Sequence, residues 1–153
     1  MDKDELLANE DALLRGMLEA AEGLESESVT IEIARKGKTF FAFRVRPLTE
    51  KETERCSDMA TKFTRMRGIK VPESTDSAKY RSLLIYTATL EEDKAKTWDN
   101  KALWDRLNVI SGTDVIDKVL LQGEKEAVIR KINEISGYGN DDEDESLEDT
   151  AKN

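Results

Sequence analysis

The chain has 153 residues, of which 37% are charged and 38% hydrophobic, and its formal net charge is −9. This length suffices for one domain with a modest core, and no apolar run approaches the roughly 20 residues that a membrane span needs. One cysteine and no histidine exclude an internal disulfide, Cys–His or Ser–His catalysis and an ordinary zinc site.

The first predicted element is an amphipathic helix over residues 4–22. Its apolar side chains recur at steps near 3.6 residues and so share one side, among them Leu6, Leu13, Met17 and Leu18. The start of the chain is acidic and lacks the basic region of a secretory signal, so we expect a soluble cytoplasmic protein. The stretch GLESES then breaks the pattern, and we expect residues 1–27 to stand apart from the main fold.

Residues 28–46 predict a β-hairpin with a turn at Gly37. Apolar and polar residues alternate in both strands, and the inward set is Val29, Ile31, Ile33, Phe41, Phe43 and Val45. Arg44 and Arg46 fall on the opposite face. Pro47 cannot donate to a strand ladder and ends the second strand. Because a lone hairpin is marginally stable, a cover for its apolar face is expected to follow.

A helix is predicted next, beginning with a capping box at Thr49 and Glu52. Its apolar stripe would lie on the hairpin and consists of Cys56, Met59, Ala60 and Phe63. On this face, and without a histidine as base, Cys56 is interpreted as a core side chain and not a nucleophile. Residues 64–75 hold Gly68, Pro72 and three bases, which predicts a mobile basic loop.

The rest of the chain predicts helices. Asp76 or Ser77 begins one over 80–88, Asp99 caps a short one after a polar connector, and Ser111 or Thr113 begins another. The last helix runs from Glu124 to Ser136, with Gly137 as its left-handed C-terminal cap. We therefore predict an α+β fold in which an N-terminal β-hairpin or small antiparallel sheet is packed by a mainly α-helical bundle. The predicted common core is Phe41, Phe43, Met59, Phe63, Leu84 and Ile132.

Charge is segregated along the chain. Residues 1–28 carry nine acids and two bases, residues 29–140 carry 17 acids and 21 bases, and residues 141–153 carry seven acids and one base. The last segment is too charged to bury apolar area, so we predict that it is disordered. Within the basic middle, residues 35–70 hold eleven bases against four acids.

Two hypotheses fit this charge layout. A basic segment attracts phosphate, so one hypothesis is a nucleic-acid-binding regulator whose acidic ends autoinhibit it. The other is that the acidic ends are solvated and that Arg44 and Arg46 only line the outer face of a covered hairpin. No glycine-rich nucleotide motif and no spaced calcium loop occur in the sequence. We expect no catalytic residues, no cofactor and no metal site, and hence no enzyme.

The order of these segments resembles the XkdN-like phage tail assembly chaperones over residues 28–140. The most specific match is LLQGEKEAVIRKINEISG. It is similar to that family's leucine-rich segment, the Gly–Glu pair that follows it and the last helix of the domain. The second is the entry from strand to helix, Val45 to Glu52. Where the resemblance leads us to expect a proline after LLIYTATL, this chain has Glu91, Glu92 and Asp93. The resemblance implies a domain of residues 28–140, flanked by the N-terminal helix (1–27) and the acidic tail (141–153).

The resemblance also implies a non-catalytic role in the host bacterial cytoplasm. Members of the family bind the tape measure protein, keep it soluble, help to recruit tail tube subunits and are absent from the finished particle. The expected partners are therefore the tape measure protein and the tail tube protein, together with self-association, while a membrane is not expected and nucleic acid is disfavoured.

Partner-binding residues are proposed from the residues themselves. The apolar face of the first helix, with Leu6, Leu13, Met17 and Leu18, suits a groove or another amphipathic helix. The basic segment with Arg65, Arg67 and Lys70 is the next candidate. The alternative for the helix is that it packs on the same core as the rest of the chain, because large exposed apolar patches are uncommon in monomers.

Overall fold

The structure, a computed structural model, describes residues 1–138. Its elements in chain order are α1 (Lys3–Ala8), α2 (Glu10–Ser26), β1 (Val29–Arg35), β2 (Lys38–Val45), α3 (Glu50–Ala60), β3 (Thr61–Met66), β4 (Ile69–Thr75), α4 (Ser77–Ala88), α5 (Glu91–Lys96), α6 (Lys101–Leu107), α7 (Gly112–Val119) and α8 (Gln122–Ile135). Helices beside two antiparallel strand pairs confirm the predicted α+β class. The segment 141–153, predicted to be disordered, lies outside the described residues.

The first hairpin is the predicted one. β1 and β2 pair antiparallel around Lys36 and Gly37, whose φ values are 51° and 78°. Two successive positive φ values are typical of a type I′ turn, whose twist matches that of paired strands. Ile33, Phe43 and Val45 are buried on one face, as the alternation predicts.

The main core lies between this hairpin and the C-terminal helices. The Trp98 ring is 1% exposed and meets Phe43 and Phe41 edge-on, with centroid separations of 5.1 and 5.9 Å. Its indole N–H donates to Thr89 Oγ1 at 2.9 Å, so the ring is buried without an unsatisfied donor. Helical members of the cluster are Ile85, Ala88, Val115, Ile116, Val128 and Ile132, and Leu120, which directly follows α7, belongs to it as well. Trp98 is therefore a core side chain.

A second, smaller core cluster lies between α3 and α4 and consists of Cys56, Ala60, Leu83 and Leu84. The capping box of Thr49 and Glu52 begins α3, as predicted. Cys56 is 2% exposed, and its Sγ lies 3.4 Å from Thr87 Oγ1. The cysteine is thus the core side chain that its position on the stripe predicts.

The prediction of the apolar stripe on α3 is wrong at two of its four residues, Met59 and Phe63. α3 stops at Ala60, so Phe63 lies in β3, and Met59 is 53% exposed. The apolar side of the helix packs on α4 and not on the apolar face of the first hairpin, so its buried residues are Cys56 and Ala60. Of the six predicted core residues, three are buried (Phe43, Leu84, Ile132), two are half-buried (Phe41, Phe63) and one is exposed (Met59).

The prediction of a mobile loop over residues 64–75 is also wrong. β3 and β4 pair antiparallel from Thr61–Thr75 to Met66–Ile69, and Arg67 and Gly68 form the turn with φ values of 54° and 79°. Pro72 lies in a strand with one partner, next to a bulge, where a missing backbone N–H is tolerated. Gly68 and Pro72, which indicated a loop in the sequence, therefore occupy positions that a β-hairpin tolerates.

The start of α6 differs from the prediction, whereas the start of α7 agrees with it. Asn100, and not Asp99, caps α6, and the predicted polar connector before it contains α5. Asp99 instead accepts a hydrogen bond from the Tyr86 hydroxyl at 2.9 Å. Ser111 caps α7 as predicted, and Gly137 follows α8 with a φ of 96°.

The predicted first helix is in fact two helices. Asn9 ends α1 and caps α2, because its side-chain oxygen accepts the N–H of Ala12 at 3.0 Å. α2 then continues to Ser26, through most of the stretch that was predicted to break it. Of residues 1–23, Ala12 alone is half-buried and all others are exposed. This pair of helices does not join either core cluster.

Candidate partner-binding surfaces

The arginines of the first hairpin are paired with carboxylates of the helices. The guanidinium of Arg44 donates to both oxygens of Asp93 at 2.9 and 3.0 Å, and to Glu92 at 3.2 Å. The backbone N–H of Arg44 donates to Asp93 as well, at 2.7 Å. These bonds favour the ionised carboxyl and hold the pKa of Asp93 below its ordinary value. Glu92 and Asp93 lie where the family resemblance predicted a proline, and through these bonds they attach α5 to β2.

Arg46 and Arg35 make the same kind of contact with other helices. Arg46 forms two hydrogen bonds with Glu52 of α3, at 2.7 and 3.0 Å, and Arg35 forms two with Glu124 of α8, at 2.7 and 3.0 Å. Paired bonds between a guanidinium and a carboxylate are among the strong polar contacts of proteins. Arg46 lowers the pKa of Glu52 to about 2. The three arginines of this basic stretch are therefore engaged within the protein.

A polar cluster joins α4, α7 and α8, and two of its three members, Ser82 and Lys125, are buried. The Ser82 hydroxyl donates to Asp117, and Lys125 Nζ donates to Asp117 at 2.6 Å and to Ser82 at 3.0 Å. Ser82 is 0% exposed, so no substrate reaches its hydroxyl. The cluster is a structural tie between three helices. Within residues 1–138, no group of acidic or cysteine side chains is placed to hold a metal ion.

An open cleft of about 510 Å³ lies between α3, α4 and the connection from α6 to α7. Cys56 and Leu83 line it, and Met59 and Ile110 are its exposed apolar members. Burial, together with the hydrogen bond to Asp99, raises the pKa of Tyr86 to about 12. The Tyr86 phenol is therefore protonated at neutral pH and serves as a hydrogen-bond donor that shapes the cleft.

The helical arm, defined as α1 and α2, is the first surface that the core leaves uncovered. The predicted binding side chains lie here, with exposed fractions of 38% for Leu6, 37% for Leu13, 70% for Met17 and 54% for Leu18. Leu7 and Leu14 are exposed as well, at 73% and 58%. Among the helices of residues 1–138, this arm included, none is both long and apolar enough to cross a membrane.

The hairpin arm, defined as residues 61–75, is the second uncovered surface. Its base is closed by a hydrogen bond from the Asp76 N–H to the Ala60 carbonyl at 2.8 Å and by a contact of 2.9 Å between the hydroxyls of Thr61 and Thr75. Beyond this base, no side chain of β3 or β4 is fully buried. The arm therefore extends from the junction of α3 and α4 with little support from the core.

The hairpin arm has two different faces, because cross-strand partners share a side of the sheet. Arg65 pairs with Lys70 on one face, where Lys70 Nζ also lies 4.4 Å from the centre of the Phe63 ring. Met66 pairs with Ile69 on the other face, and these side chains are 64% and 66% exposed. The three predicted basic residues, Arg65, Arg67 and Lys70, are all exposed on this arm.

Two parts of these surfaces were not identified from the sequence. The acidic partners of the hairpin arginines come from helices 6 to 89 residues away along the chain, and no local pattern reveals such pairs. The apolar tip of the hairpin arm, Met66 and Ile69, flanks the dipeptide Arg67–Gly68. A glycine at the second position of a two-residue turn is the signal that favours a hairpin there.

Comparison with known proteins adds one match. A family model described as "Phage XkdN-like tail assembly chaperone protein, TAC" matches residues 13–152. The matched range begins within α2 and extends further towards both ends than the resemblance noted over residues 28–140. No curated protein and no solved structure matches the chain significantly.

Proposed function

This chain belongs to the family of XkdN-like phage tail assembly chaperones, and we propose that it binds the tape measure protein of its phage and keeps that protein soluble during tail assembly. The proposal includes recruitment of tail tube subunits to the same complex, in the host cytoplasm and without a catalytic step. The observation that carries it is the exposed apolar face of the helical arm, which the core does not cover.

The helical arm suits a long helical client with apolar segments. An amphipathic helix that presents leucines at helical spacing can lie against another amphipathic helix or in a groove. Met17 adds a flexible, polarisable side chain that adapts to partners of different sequence. The arm is also strongly acidic, since residues 1–28 carry nine acids and two bases. Negative charge at the contact keeps a complex of otherwise apolar segments in solution.

The hairpin arm is proposed as a second contact. Arg65, Arg67 and Lys70 offer exposed cations next to the apolar pair Met66 and Ile69. Acidic positions of a client, or of the tail tube protein, are suitable partners for these side chains. In this proposal residues 28–140 form the chaperone domain, and residues 1–27 and 141–153 are its acidic flanks.

Co-expression with a fragment of the tape measure protein tests the proposal. We expect the full chain to raise the soluble fraction of the fragment several-fold and to co-purify with it. The variant Leu6→Ser/Leu13→Ser/Leu18→Ser should lose both effects, because its apolar face no longer matches the client. These side chains lie outside the core, so the variant should keep its unfolding temperature.

The matched control is Ile110→Ser/Leu121→Ser, since both side chains are exposed, at 87% and 62%, but lie outside the two arms. This variant should solubilise the fragment as the unaltered chain does. Full activity of the helical-arm variant would show that the client binds elsewhere. Failure of the unaltered chain to capture any tape measure fragment would refute the proposed function.

A further inference from the structure

We propose that the outer edge of β1 binds an extended strand of another protein, which adds to the first hairpin as a third strand and places side chains in a groove between β1 and α8. This inference goes beyond the proposed function, which assigns client binding to the two arms. The edge belongs to the first hairpin, and the segment that it would bind is an extended strand and not a helix.

The backbone groups of β1 that face away from β2 follow from the bonds of its partner strand. Arg44 lies opposite Thr30, and both its N–H and its C=O are engaged on the far side, with Asp93 and with the N–H of Leu90. Opposite residues of an antiparallel pair either exchange both hydrogen bonds or direct both outward. The N–H and C=O of Thr30 therefore point to the outer edge, and those of Glu32 follow at the period of two residues.

This edge is open in the part of the chain that the structure describes. Within residues 1–138, β1 pairs with β2 alone, and the backbone groups of Thr30 and Glu32 take part in no other hydrogen bond. The outer edge of β2 is different, because the chain that follows α4 closes it through a bridge between Val45 and Thr89. The hairpin thus has one edge that the protein covers and one that it leaves unpaired.

A groove of about 360 Å³ runs beside the open edge, between β1 and α8. Its lining includes the apolar side chains of Ile31, Ala127 and Val128, and it also includes Thr30 and Glu32. A strand added at the edge directs alternate side chains to the groove and to solvent. Unpaired backbone groups give such a site affinity, and pockets for alternate side chains give it selectivity.

The chemistry of the site selects an extended polypeptide with apolar residues at alternate positions. N–H and C=O groups two residues apart match the repeat of a neighbouring strand, whereas a helix bonds its own backbone groups internally. The exposed cations Lys36 and Lys38 lie at the turn end of the edge, so an acidic residue is favoured at that end of the partner. In the antiparallel orientation, which is the more stable one, this end is the partner's N-terminal end.

The test uses the full chain and a probe peptide of the length of β1, acetyl-Asp-Val-Thr-Val-Thr-Val-Thr, labelled with fluorescein at its C-terminal end. Fluorescence anisotropy measures its binding. With the valines in the groove, the threonines lie opposite Thr30 and Glu32 and share their face, so the threonine N–H groups point to β1 and the valine N–H groups point away.

Methylation of the peptide's backbone nitrogens therefore gives a matched pair of probes. Methyl groups on the threonine nitrogens should weaken binding at least about tenfold, or about 1.4 kcal/mol, because the bonds to β1 are lost. Methyl groups on the valine nitrogens should leave binding nearly unchanged, because these nitrogens face away from the protein. An equal loss of binding with both methylated peptides would overturn the proposal.

Variants of the protein test the same edge from its other side. Glu32→Pro removes an outward N–H, which the first hairpin does not use, and should weaken peptide binding at least about tenfold. Glu32→Thr keeps the N–H and should bind as the unaltered chain does. A thermal melt checks that each variant is folded. Undiminished binding by a folded Glu32→Pro variant would overturn the proposal.

A second variant narrows the groove without changing a strand. Ala127→Arg places a long side chain in the groove and should weaken peptide binding as well. Its control is Glu126→Arg, an exposed neighbour on α8 that does not line the groove, which should not weaken binding. Added positive charge attracts an acidic peptide, so a loss with Ala127→Arg alone is steric. Undiminished binding by Ala127→Arg would overturn the proposal even if Glu32→Pro fails to fold.

The remaining outcomes separate this site from other contacts. No saturable binding of the peptide up to about 1 mM would overturn the proposal. A dimer of the unaltered protein that Glu32→Pro abolishes would assign the edge to a second copy and would overturn it too. The helical-arm variant Leu6→Ser/Leu13→Ser/Leu18→Ser should bind the peptide as the unaltered chain does, so the result is independent of capture of the tape measure fragment.

Discussion

Three arginines at the first hairpin each bind a carboxylate of a different helix and so attach these helices to the hairpin. Arg35 holds α8 through Glu124, and the corresponding bonds of Arg44 and Arg46 hold α5 and α3. Each contact has two donor–acceptor pairs in fixed geometry, which orients a helix as well as attaching it. Lysine in these positions would offer a point charge without that geometry. The basic appearance of this strand is thus a consequence of how the helices are attached.

The pair of Arg46 and Glu52 predicts a pH dependence. The pKa of Glu52 falls from 4.5 to about 2 in the folded protein. Its contribution to stability is therefore complete above about pH 4.5 and is lost as the pH falls towards 2. Glu52→Gln keeps a capping side chain but removes the charge, and should lower the free energy of unfolding by about 1–3 kcal/mol at pH 7.

Urea denaturation at a series of pH values measures this effect. The Glu52→Gln variant should show a flatter loss of stability between pH 4.5 and 2 than the unaltered protein. The control is Glu54→Gln, an exposed position on the same helix, which should change stability by less than about 0.5 kcal/mol. Equal acid sensitivity of all three proteins would contradict the role given to Glu52.

A second prediction at this scale concerns the aromatic core. Phe43 is 2% exposed and contacts Trp98, so Phe43→Ala should cost about 3–5 kcal/mol in urea denaturation. Phe40→Ala is the control, because Phe40 belongs to the same strand but is 51% exposed, and its loss should cost about 1 kcal/mol or less. A cost below about 1 kcal/mol for Phe43→Ala would mean that the hairpin face is not the core.

At the scale of elements, the chain divides into a supported body and two arms. The body includes the first hairpin and α3 to α8, whose buried side chains form the two clusters. The arms have few buried contacts, and elements of that kind open locally at lower free energy than the core. Hydrogen exchange should therefore be faster in β3 and β4 than in β1 and β2, although both pairs are hairpins with the same kind of turn.

The helical arm allows a direct test of this division. A chain that begins at Ser28 should fold with an unfolding temperature close to that of the full chain, because the arm contributes no member to either core cluster. Circular dichroism and thermal melts measure both properties. An unfolded product would show that α1 and α2 are structural, and it would remove the reason for treating them as a binding arm.

At the scale of the whole molecule, charge is distributed for solubility and for contact. The net charge of −9 comes from the two ends, while the middle of the chain is basic. Deleting residues 141–153 removes seven acids and one base and changes the net charge from −9 to −3. We expect lower solubility near neutral pH and little change in unfolding temperature, because a segment of this composition has little apolar area to bury.

Precipitation by polyethylene glycol and a thermal melt measure these two outcomes. The control replaces the seven acids of the segment by Asn or Gln, which removes the charge but keeps the length. Loss of solubility in both proteins would attribute the effect to charge. A large fall in the unfolding temperature of the shortened chain would instead indicate that the segment docks on the basic middle.

The sequence by itself determined the parts of the fold that depend on neighbouring residues. Alternation predicts the first hairpin, the Thr49–Glu52 capping box predicts the start of α3, and Ser111 and Gly137 mark helix ends, because each signal acts within a few residues of the chain. The amphipathic character of the helical arm is of the same kind. The family resemblance likewise depends on the order of such local segments.

Tertiary structure alone decided which charges are free and which surfaces are covered. Arg44 and Arg65 look alike in the sequence, yet one is paired with a carboxylate 49 residues away and the other is exposed on the hairpin arm. The hairpin arm itself has weak core support, and its glycine and proline are equally compatible with a loop until strand pairing selects their places. Ion pairing and burial depend on residues distant along the chain, so their outcome is defined when the helices are packed on the first hairpin.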